Sequence, residues 1–540
     1  PSAHCTEMLC LSARHWALRL PHQLTLTSCL LLPSLALLSS GTSASVQAAQ
    51  SEDKSRDLKR PGPRIAIIGS GVAAASAAYF LRDKFGSNCR MDIVTDESSA
   101  TLVGGRLGVA NFDGRKFESG GSIIHDKNLY MRHFADVLGL SRLYHGEETR
   151  LAVFNGRDTV LDTSDWYLVK MVQLLHRYGL AAFVQLRKFV SGMLEDFGRV
   201  YARQNAGQAY TNVLGLLSAM SDSFPAMATE TIEKLLESSG FSSEFINELV
   251  AGAMRNNYGQ NVSIHGFVGA VSLAGAEGGL WSVRGGNRLI VANLLSRLAQ
   301  SQQADEAESG KVRLLLNSRV TQIAKDREGW TVTSTDASRS TVVEQYDQVI
   351  LTVPPSQHFN IEIKDVKVPR VDYQTTVATF VKGRLNHDWL GLRSRQSEYS
   401  VLTGTPASPL DFNSIGYQHD VDKNPSDNVY KVFSQRVLTA EQVNQLFTNV
   451  ESTHSVSWLA YPLYRRGLSI NASFVLADGL YHTSPIELAA SAMEMSAIAG
   501  RNAALLAFND WTGKAAELTD PSGGGQPKPA DQVLVQRDEL

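Results

Sequence analysis

Cysteine is scarce in this chain, four residues in 540, and three of them (Cys5, Cys10 and Cys29) lie near its start. Beyond that stretch only Cys89 remains. A single thiol excludes an intrachain disulfide, a cysteine-based metal site and a dithiol electron relay from the body of the chain. An excess of one charge is also lacking: 51 basic and 54 acidic residues leave a net charge of −3, mixed along the sequence. The totals therefore point to neither a nucleic-acid binder nor a membrane-surface binder. There is no internal repeat and no Ser/His/Asp or Cys/His constellation. No apolar run after the first 50 residues is long enough to span a bilayer. What is present is an ordinary globular composition, 43% hydrophobic and 19% charged, with length for two or three domains.

The two ends read as addresses rather than as fold. Arg14, His15 and Arg19 precede an apolar run from Leu24 to Leu38, followed by small residues through Ala48. That order is expected of a cleaved signal peptide over 1–48. The alternative, a membrane anchor, needs about 20 apolar residues, and this run is shorter and broken by Pro33. A charged linker, 49–62, runs into Pro61-Gly62-Pro63. Asn261-Val-Ser263 and Asn471-Ala-Ser473 are glycosylation sequons. The terminus Arg537-Asp538-Glu539-Leu540 is a variant of the endoplasmic reticulum retrieval signal, displayed on a polar tail over 513–540 and read by a retrieval receptor. Residence in the lumen of the endoplasmic reticulum is expected.

The chemistry-bearing pattern starts at Arg64. Arg64-Ile-Ala-Ile-Ile-Gly69 reads as a short strand, Gly69-Ser-Gly71-Val-Ala-Ala74 as the start of a helix reaching about Lys84, and Met91 to Thr95 as a second strand. This is a βαβ unit with a dinucleotide fingerprint. Gly69 permits the turn, Gly71 lets the backbone approach a pyrophosphate, and Ala74 keeps helix and strand close. The N–H groups at the helix start receive the phosphates. The ribose-binding acid is expected at Asp96, with Thr95 as a weaker hydrogen-bonding alternative. Farther on come Gly104-Gly105-Arg106-Leu107 and Phe117-Glu-Ser-Gly120-Gly121-Ser122-Ile-Ile-His125. Short β-like runs then dominate from Lys311 to Val353, after a mainly helical stretch from Trp166 to Val250. Ser484-Pro485-Ile486-Glu487 has the N-cap serine, first-turn proline and capping-box glutamate expected to open a helix from Pro485 to about Phe508.

These segments resemble amine-oxidase-like flavoproteins, which implies FAD rather than NAD. In that resemblance Gly104, Gly105, Arg106, Gly121 and Ser122 lie along the cofactor, Arg106 donates to phosphate, and the Val320 backbone meets the adenine. Ser484 and Ile486 then bring a helix N-terminus to the flavin, where its positive end stabilises negative charge. The expected fold class is α/β, a Rossmann-like FAD-binding domain with a helix-rich, α+β substrate domain. The FAD-binding parts are 63–150, 291–360 and 456–512; the substrate parts are 151–290 and 361–455.

Five further blocks narrow the resemblance. Met254–Gln260, Gly269–Gly275, Gly279–Asn287, Trp458–Pro462 and Ala489–Ile498 are similar to consecutive blocks of the prenylcysteine oxidase (prenylcysteine lyase) family. The likeness runs from about Pro63 to Trp511 and is weakest between Gln374 and Val450. It implies an FAD-dependent oxidase that cleaves the thioether of farnesyl- or geranylgeranyl-cysteine with oxygen and water, yielding cysteine, a prenyl aldehyde and hydrogen peroxide. The family tends towards lysosomal or vacuolar compartments, the alternative to retention here. His125 is the candidate for activating water, and Arg255 and Tyr258 are candidates for holding the substrate's carboxylate or amine. Phe183, Phe189, Met193, Phe197, Met220, Phe224 and Met227 are candidates for an isoprenoid tunnel, or for helical core. No metal and no nucleic acid enter this reading. Its competitors are another amine-oxidase-like flavoprotein and an FAD-retaining binding factor without turnover.

Overall fold

The run Arg64–Ile68 forms the strand expected of it and lies inside a six-stranded sheet. The computed structural model describes residues 62–146, 149–300, 310–406 and 409–514. The leader, all of the linker before Gly62, the 301–309 segment and the retrieval tail lie outside the described residues. Five strands of the sheet run parallel in the order Val312–Leu315, Arg90–Val94, Arg64–Ile68, Gln348–Leu351 and Leu480–His482. Val475–Ala477 closes one edge antiparallel. Parallel strands bury both faces, which is why Arg64–Ile68 and Gln348–Leu351 read as continuous apolar runs rather than alternating ones.

Helix Val72–Phe85 follows the first strand, and Met493–Thr512 packs against it. The two axes come close because Gly500 lacks a side chain: a Cβ there would lie 2.4 Å from the Ala73 carbonyl oxygen. Ser76 Oγ donates to the Ala497 carbonyl at 2.6 Å across the same seam. Small residues, Ala74 among them, hold this layer together, as the fingerprint required.

A second, seven-stranded sheet carries the other half of the molecule. Its order is Phe447–Pro462, Tyr373–Leu385, Pro425–Ser434, Ser414–His419, Tyr399–Thr403, Arg150–Phe154 and Thr159–Asp162. Strand Phe447–Pro462 crosses the boundary expected at 455/456, because it pairs with Tyr373–Leu385 along its whole length. A four-stranded sheet holds Arg319–Lys325 and Trp330–Thr335 as expected, plus Thr341–Tyr346, whose mostly exposed face hid it from the pattern.

Along the chain, between strands Thr159–Asp162 and Leu280–Val283, comes the helical insert, led by Tyr167–Tyr178 and Leu180–Asn205 and ending with Ala251–Tyr258 and Gly266–Leu273. Met193, Phe197, Met220 and Phe224 are buried in the main core, and Phe183, Phe189 and Met227 pack against it. They are helical core. Among the described residues no helix is long and apolar enough to cross a membrane. The Cys89 thiol is buried, which pushes its pKa upward and leaves it unreactive.

Candidate functional site

Parallel strands place ligands beyond their carboxyl ends, and here Gly69, Thr95, Thr352 and Thr483 each follow such an end. Gly69 donates to the Val94 carbonyl, Thr352 to that of Ile68 and Thr483 to that of Leu351. Gly69 has φ +112°, and a Cβ would lie 2.5 Å from Thr352 Oγ1. Gly71 occupies the N-cap position of Val72–Phe85, and no side chain caps that end. Its first N–H groups are therefore available to an anion. The loop Gly104-Gly105 crosses directly over Gly71. A Cβ on Gly105, whose φ is +58°, would sit 3.3 Å from Gly71 Cα. The sequence-selected glycines thus meet in one narrow cradle.

The acid expected at Asp96 turns away from it. Asp96 is exposed, with its carboxylate 3.9 Å from Arg319 Nε. Thr95 is buried, with Oγ1 2.9 Å from Ser70 Oγ. Glu97 is half-buried, and its carboxyl pKa is raised by burial and by Asp96, against the pull of Arg288. The extended chain alternates in, out, in after Val94, so Glu97 rather than Asp96 takes the inward acidic position. Asn317 and Ser318 donate to the carbonyls of Glu97 and Thr95, which brings the segment before Val320 beside the same edge. Val320 itself, on strand Arg319–Lys325 of the four-stranded sheet, is buried in a core cluster shared with Ile68 and Val94.

Arg106 is not free to bind phosphate. Both of its terminal nitrogens reach Glu487, at 2.7 and 2.6 Å, and Nη1 also donates to the Ala460 carbonyl at 2.7 Å. Burial alone would lower the guanidinium pKa, but the Glu487 carboxylate holds it above its ordinary value. This pairing overturns the expected helix start. Ser484–Leu488 is a single 3₁₀ turn, and Thr483 rather than Ser484 is its N-cap residue, with no side-chain cap. The α-helix begins only at Met493. Glu487 cannot close a capping box because Arg106 and the Tyr373 hydroxyl (3.2 Å) occupy its carboxylate. Ile486 is buried in the same turn, and Ser484 Oγ is buried with no partner.

His125 is likewise committed to structure. Its Nδ1 accepts the Lys127 N–H at 3.0 Å, and its pKa is lowered by burial, with Asp126 and Glu277 opposing. Arg255 braces the second sheet, donating from Nη2 to the Phe412 carbonyl at 2.9 Å and from Nε to Thr403 Oγ1. Tyr258 is buried edge-on to Tyr461 and Tyr464 and donates to the Ser491 carbonyl at 3.3 Å. None of the three lines the cavity described next. Asn261 and Asn471 are both exposed, as oligosaccharide attachment requires.

That cavity, of about 330 Å³, opens between the 118–123 loop and the inner face of the second sheet. Ser122 lies on its wall, next to Gly121, whose carbonyl accepts from Asn287 Nδ2. Glu118 contributes a carboxylate whose Oε1 accepts the Asn287 N–H at 2.6 Å while Oε2 is buried and unpartnered. Burial pushes its pKa up to about 7, with the Asn287 N–H and Lys431 opposing. Lys431, from strand Pro425–Ser434, donates to the Glu118 main-chain carbonyl at 3.0 Å. Burial pushes the ammonium pKa down to about 8, with Glu118 opposing. Asn256, beside Arg255, also reaches this wall, accepting from Ser414 Oγ at 2.8 Å. Ile123, Leu143, Val283 and Phe433 supply its apolar side. Nothing in the sequence singles out Glu118 or Lys431, because each lies in a strand that carries other charged residues, Arg115 and Lys116 in the first and Asp427 in the second.

Comparison with known proteins agrees with this geometry. The prenylcysteine lyase family profile matches residues 161–521. Prenylcysteine oxidase 1 of Homo sapiens is 37% identical over 484 residues, covering 86% of this chain and 93% of that protein. The chain belongs to the prenylcysteine lyase family. The Bos taurus prenylcysteine oxidase 1 is 36% identical over 85% of the chain and 91% of its own length. The Mus musculus prenylcysteine oxidase 1-like protein is 32% identical over 84% and 91%. Among solved structures, a putrescine oxidase triple mutant aligns with TM-score 0.52 at 14% identity, covering 82% of this chain and 98% of that one. Cyclohexylamine oxidase from Brevibacterium oxydans gives 0.51 at 14%, covering 83% and 99%. The amine-oxidase-like fold expected of this family member is the fold found.

Proposed function

We propose that this family member is an FAD-dependent oxidase that cleaves the thioether of prenylated cysteine. The observation that carries the reading is the meeting of two features: the glycine cradle at the sheet's carboxyl edge, and a cavity next to Gly121 holding one buried carboxylate and one buried ammonium. FAD fits the first. The uncapped helix start at Gly71, the Gly71–Gly105 gap that any Cβ would narrow, and the orphaned Ser484 Oγ all suit an extended dinucleotide. Gly69, Gly71, Gly105 and Glu97 would hold its adenosine and phosphate part, with Gly121, Ser122 and Ser484 towards the flavin. When bound, the flavin supplies a two-electron acceptor for hydride from the thioether carbon and passes those electrons to oxygen.

The chain's own residues orient the other reactant. Prenylcysteine has a zwitterionic head and an apolar tail. Glu118 receives the α-ammonium group and Lys431 the α-carboxylate, each gaining the counter-charge that burial denies it. Ile123, Leu143 and Phe433 meet the start of the chain. The balance is one thioether, one water and one oxygen in, and cysteine, prenyl aldehyde and hydrogen peroxide out. The carbon–sulfur bond breaks, the aldehyde oxygen comes from water, and the sulfur leaves as a thiol.

Turnover of farnesylcysteine should therefore release cysteine, aldehyde and peroxide in equal amounts. Its kcat/KM should be bell-shaped in pH. It rises as Glu118 ionises near pH 7 and falls as Lys431 loses its proton near pH 8. Glu118→Gln should abolish the acid limb. Peroxide without aldehyde would defeat the thioether assignment. Luminal residence, in the endoplasmic reticulum or else a lysosome or vacuole, belongs to the same reading. The exposed sequons support it; removal of Arg537 to Leu540 should increase secretion or onward transport, and an unchanged distribution would show the terminal tetrapeptide to be fortuitous.

A further inference from the structure

Balanced overall charge conceals a strongly biased segment. From Trp166 to Leu194 the sequence has no aspartate or glutamate, but it has Lys170, Arg177, Arg187 and Lys188. The same segment holds seven of the thirteen large hydrophobic side chains exposed among the described residues. Trp166 is 78% and Leu168 76% exposed, followed by Tyr167, Val169 and Val172 on helix Tyr167–Tyr178. Leu180 and Val184 continue the patch onto helix Leu180–Asn205. Gly179, at φ +79°, makes the corner between the two helices.

The patch stands on a rigid base. Tyr178 and Phe183 pack edge-on to Phe245, at ring separations of 5.6 and 5.8 Å. Lys170 donates to the Thr149 carbonyl at 3.1 Å, and Arg177 is clamped to Glu248. The apolar groups above are therefore presented outward by a fixed corner. Arg187 and Lys188 are exposed one turn beyond Val184.

We propose that this helical corner is a membrane-docking face, inserting Trp166, Leu168 and Val172 shallowly into a bilayer while Arg187 and Lys188 meet anionic phospholipid headgroups. Tryptophan and tyrosine at the rim of an aliphatic patch are the side chains that favour the membrane interface. An apolar helix face flanked by basic residues lies in the plane of a bilayer rather than crossing it. Charge favours lipid over a second copy of this chain: Glu248 neutralises Arg177 but Arg187 and Lys188 stay exposed, so two such faces would set like charges against each other, whereas an anionic surface attracts both cations. This inference stands apart from the oxidase reading, since it uses no residue of the cradle or the cavity.

The test is flotation of the full folded protein with phosphatidylcholine vesicles, with and without phosphatidylserine. The wild-type protein should float, and more strongly with phosphatidylserine. Trp166→Ser with Leu168→Ser should lower partitioning at least about tenfold, because two exposed apolar side chains lose their burial in lipid. Arg187→Glu with Lys188→Glu should remove the phosphatidylserine preference while leaving flotation on neutral vesicles. Both variants should keep the wild-type circular dichroism spectrum and its turnover of dispersed substrate. Failure of the wild type to float, or equal flotation of the Trp166/Leu168 variant, would overturn the proposal. So would a concentration-dependent dimer lost in that variant, which would assign the face to self-association.

Discussion

The Gly71→Val protein should fold, unfold cooperatively and purify without yellow colour. Gly71 has φ −90° and ψ −169°, an extended conformation open to any residue. The nearest atom to an added Cβ is Gly105 Cα at 3.9 Å, an ordinary contact. The fold therefore tolerates the substitution. The branched methyl groups instead enter the gap between Gly71 and Gly105 that the dinucleotide needs. Overpacking of this kind costs about 1–3 kcal/mol, or roughly a five- to 150-fold loss of affinity. Gly69→Val makes a useful contrast: with φ +112° and Thr352 Oγ1 2.5 Å from its Cβ, it should damage the fold itself. The ratio of flavin to protein absorbance, read beside a thermal melt, separates the two effects. Full flavin content in a folded Gly71→Val protein would remove Gly71 from the cofactor site.

Breaking the Arg106–Glu487 pair should destabilise the protein by about 3 kcal/mol, the lower part of the range for a buried pair that loses one partner. The pair joins segments 381 residues apart, and the Glu487 side chain is almost wholly buried. Arg106→Met leaves the almost wholly buried Glu487 carboxylate without its counter-charge and is the costlier single change, because a third of the Arg106 side chain can still meet water in Glu487→Leu. The double replacement Arg106→Met with Glu487→Leu should recover most of the loss, because no uncompensated charge remains. Denaturant midpoints of the two single variants and the double variant test this. Single variants within about 0.5 kcal/mol of wild type would show the pair to be inert.

Much of this architecture is legible in the sequence where a local pattern serves a local purpose. Arg64–Ile68, Val72–Phe85 and Arg90–Val94 combine apolar runs with glycine spacing, and each forms as expected. The failures share a physical cause, which is a partner distant in sequence. Ser484 to Glu487 has every mark of a capping box, but Arg106 takes the glutamate and the helix waits until Met493. Asp96 looks like the ribose acid until strand alternation turns it outward to Arg319. Glu118 and Lys431 are 313 residues apart and belong to different sheets, so no spacing could pair them. The exposed face at Trp166 was hidden differently: its apolar periodicity is that of a buried helix, and only packing reveals that nothing in the described fold covers it.

The central claim is tested most directly by the absorbance spectrum of the purified protein before and after anaerobic farnesylcysteine. The allylic carbon stabilises the positive charge left by hydride loss, and the isoprenoid adds about 0.8 kcal/mol of binding per buried CH₂. The account predicts an oxidised flavin spectrum at the start, bleached by farnesylcysteine at least about a hundredfold faster than by S-methylcysteine, with colour returning on admission of air. Equal bleaching rates with the two thioethers, or a flavin that farnesylcysteine leaves oxidised, would contradict it.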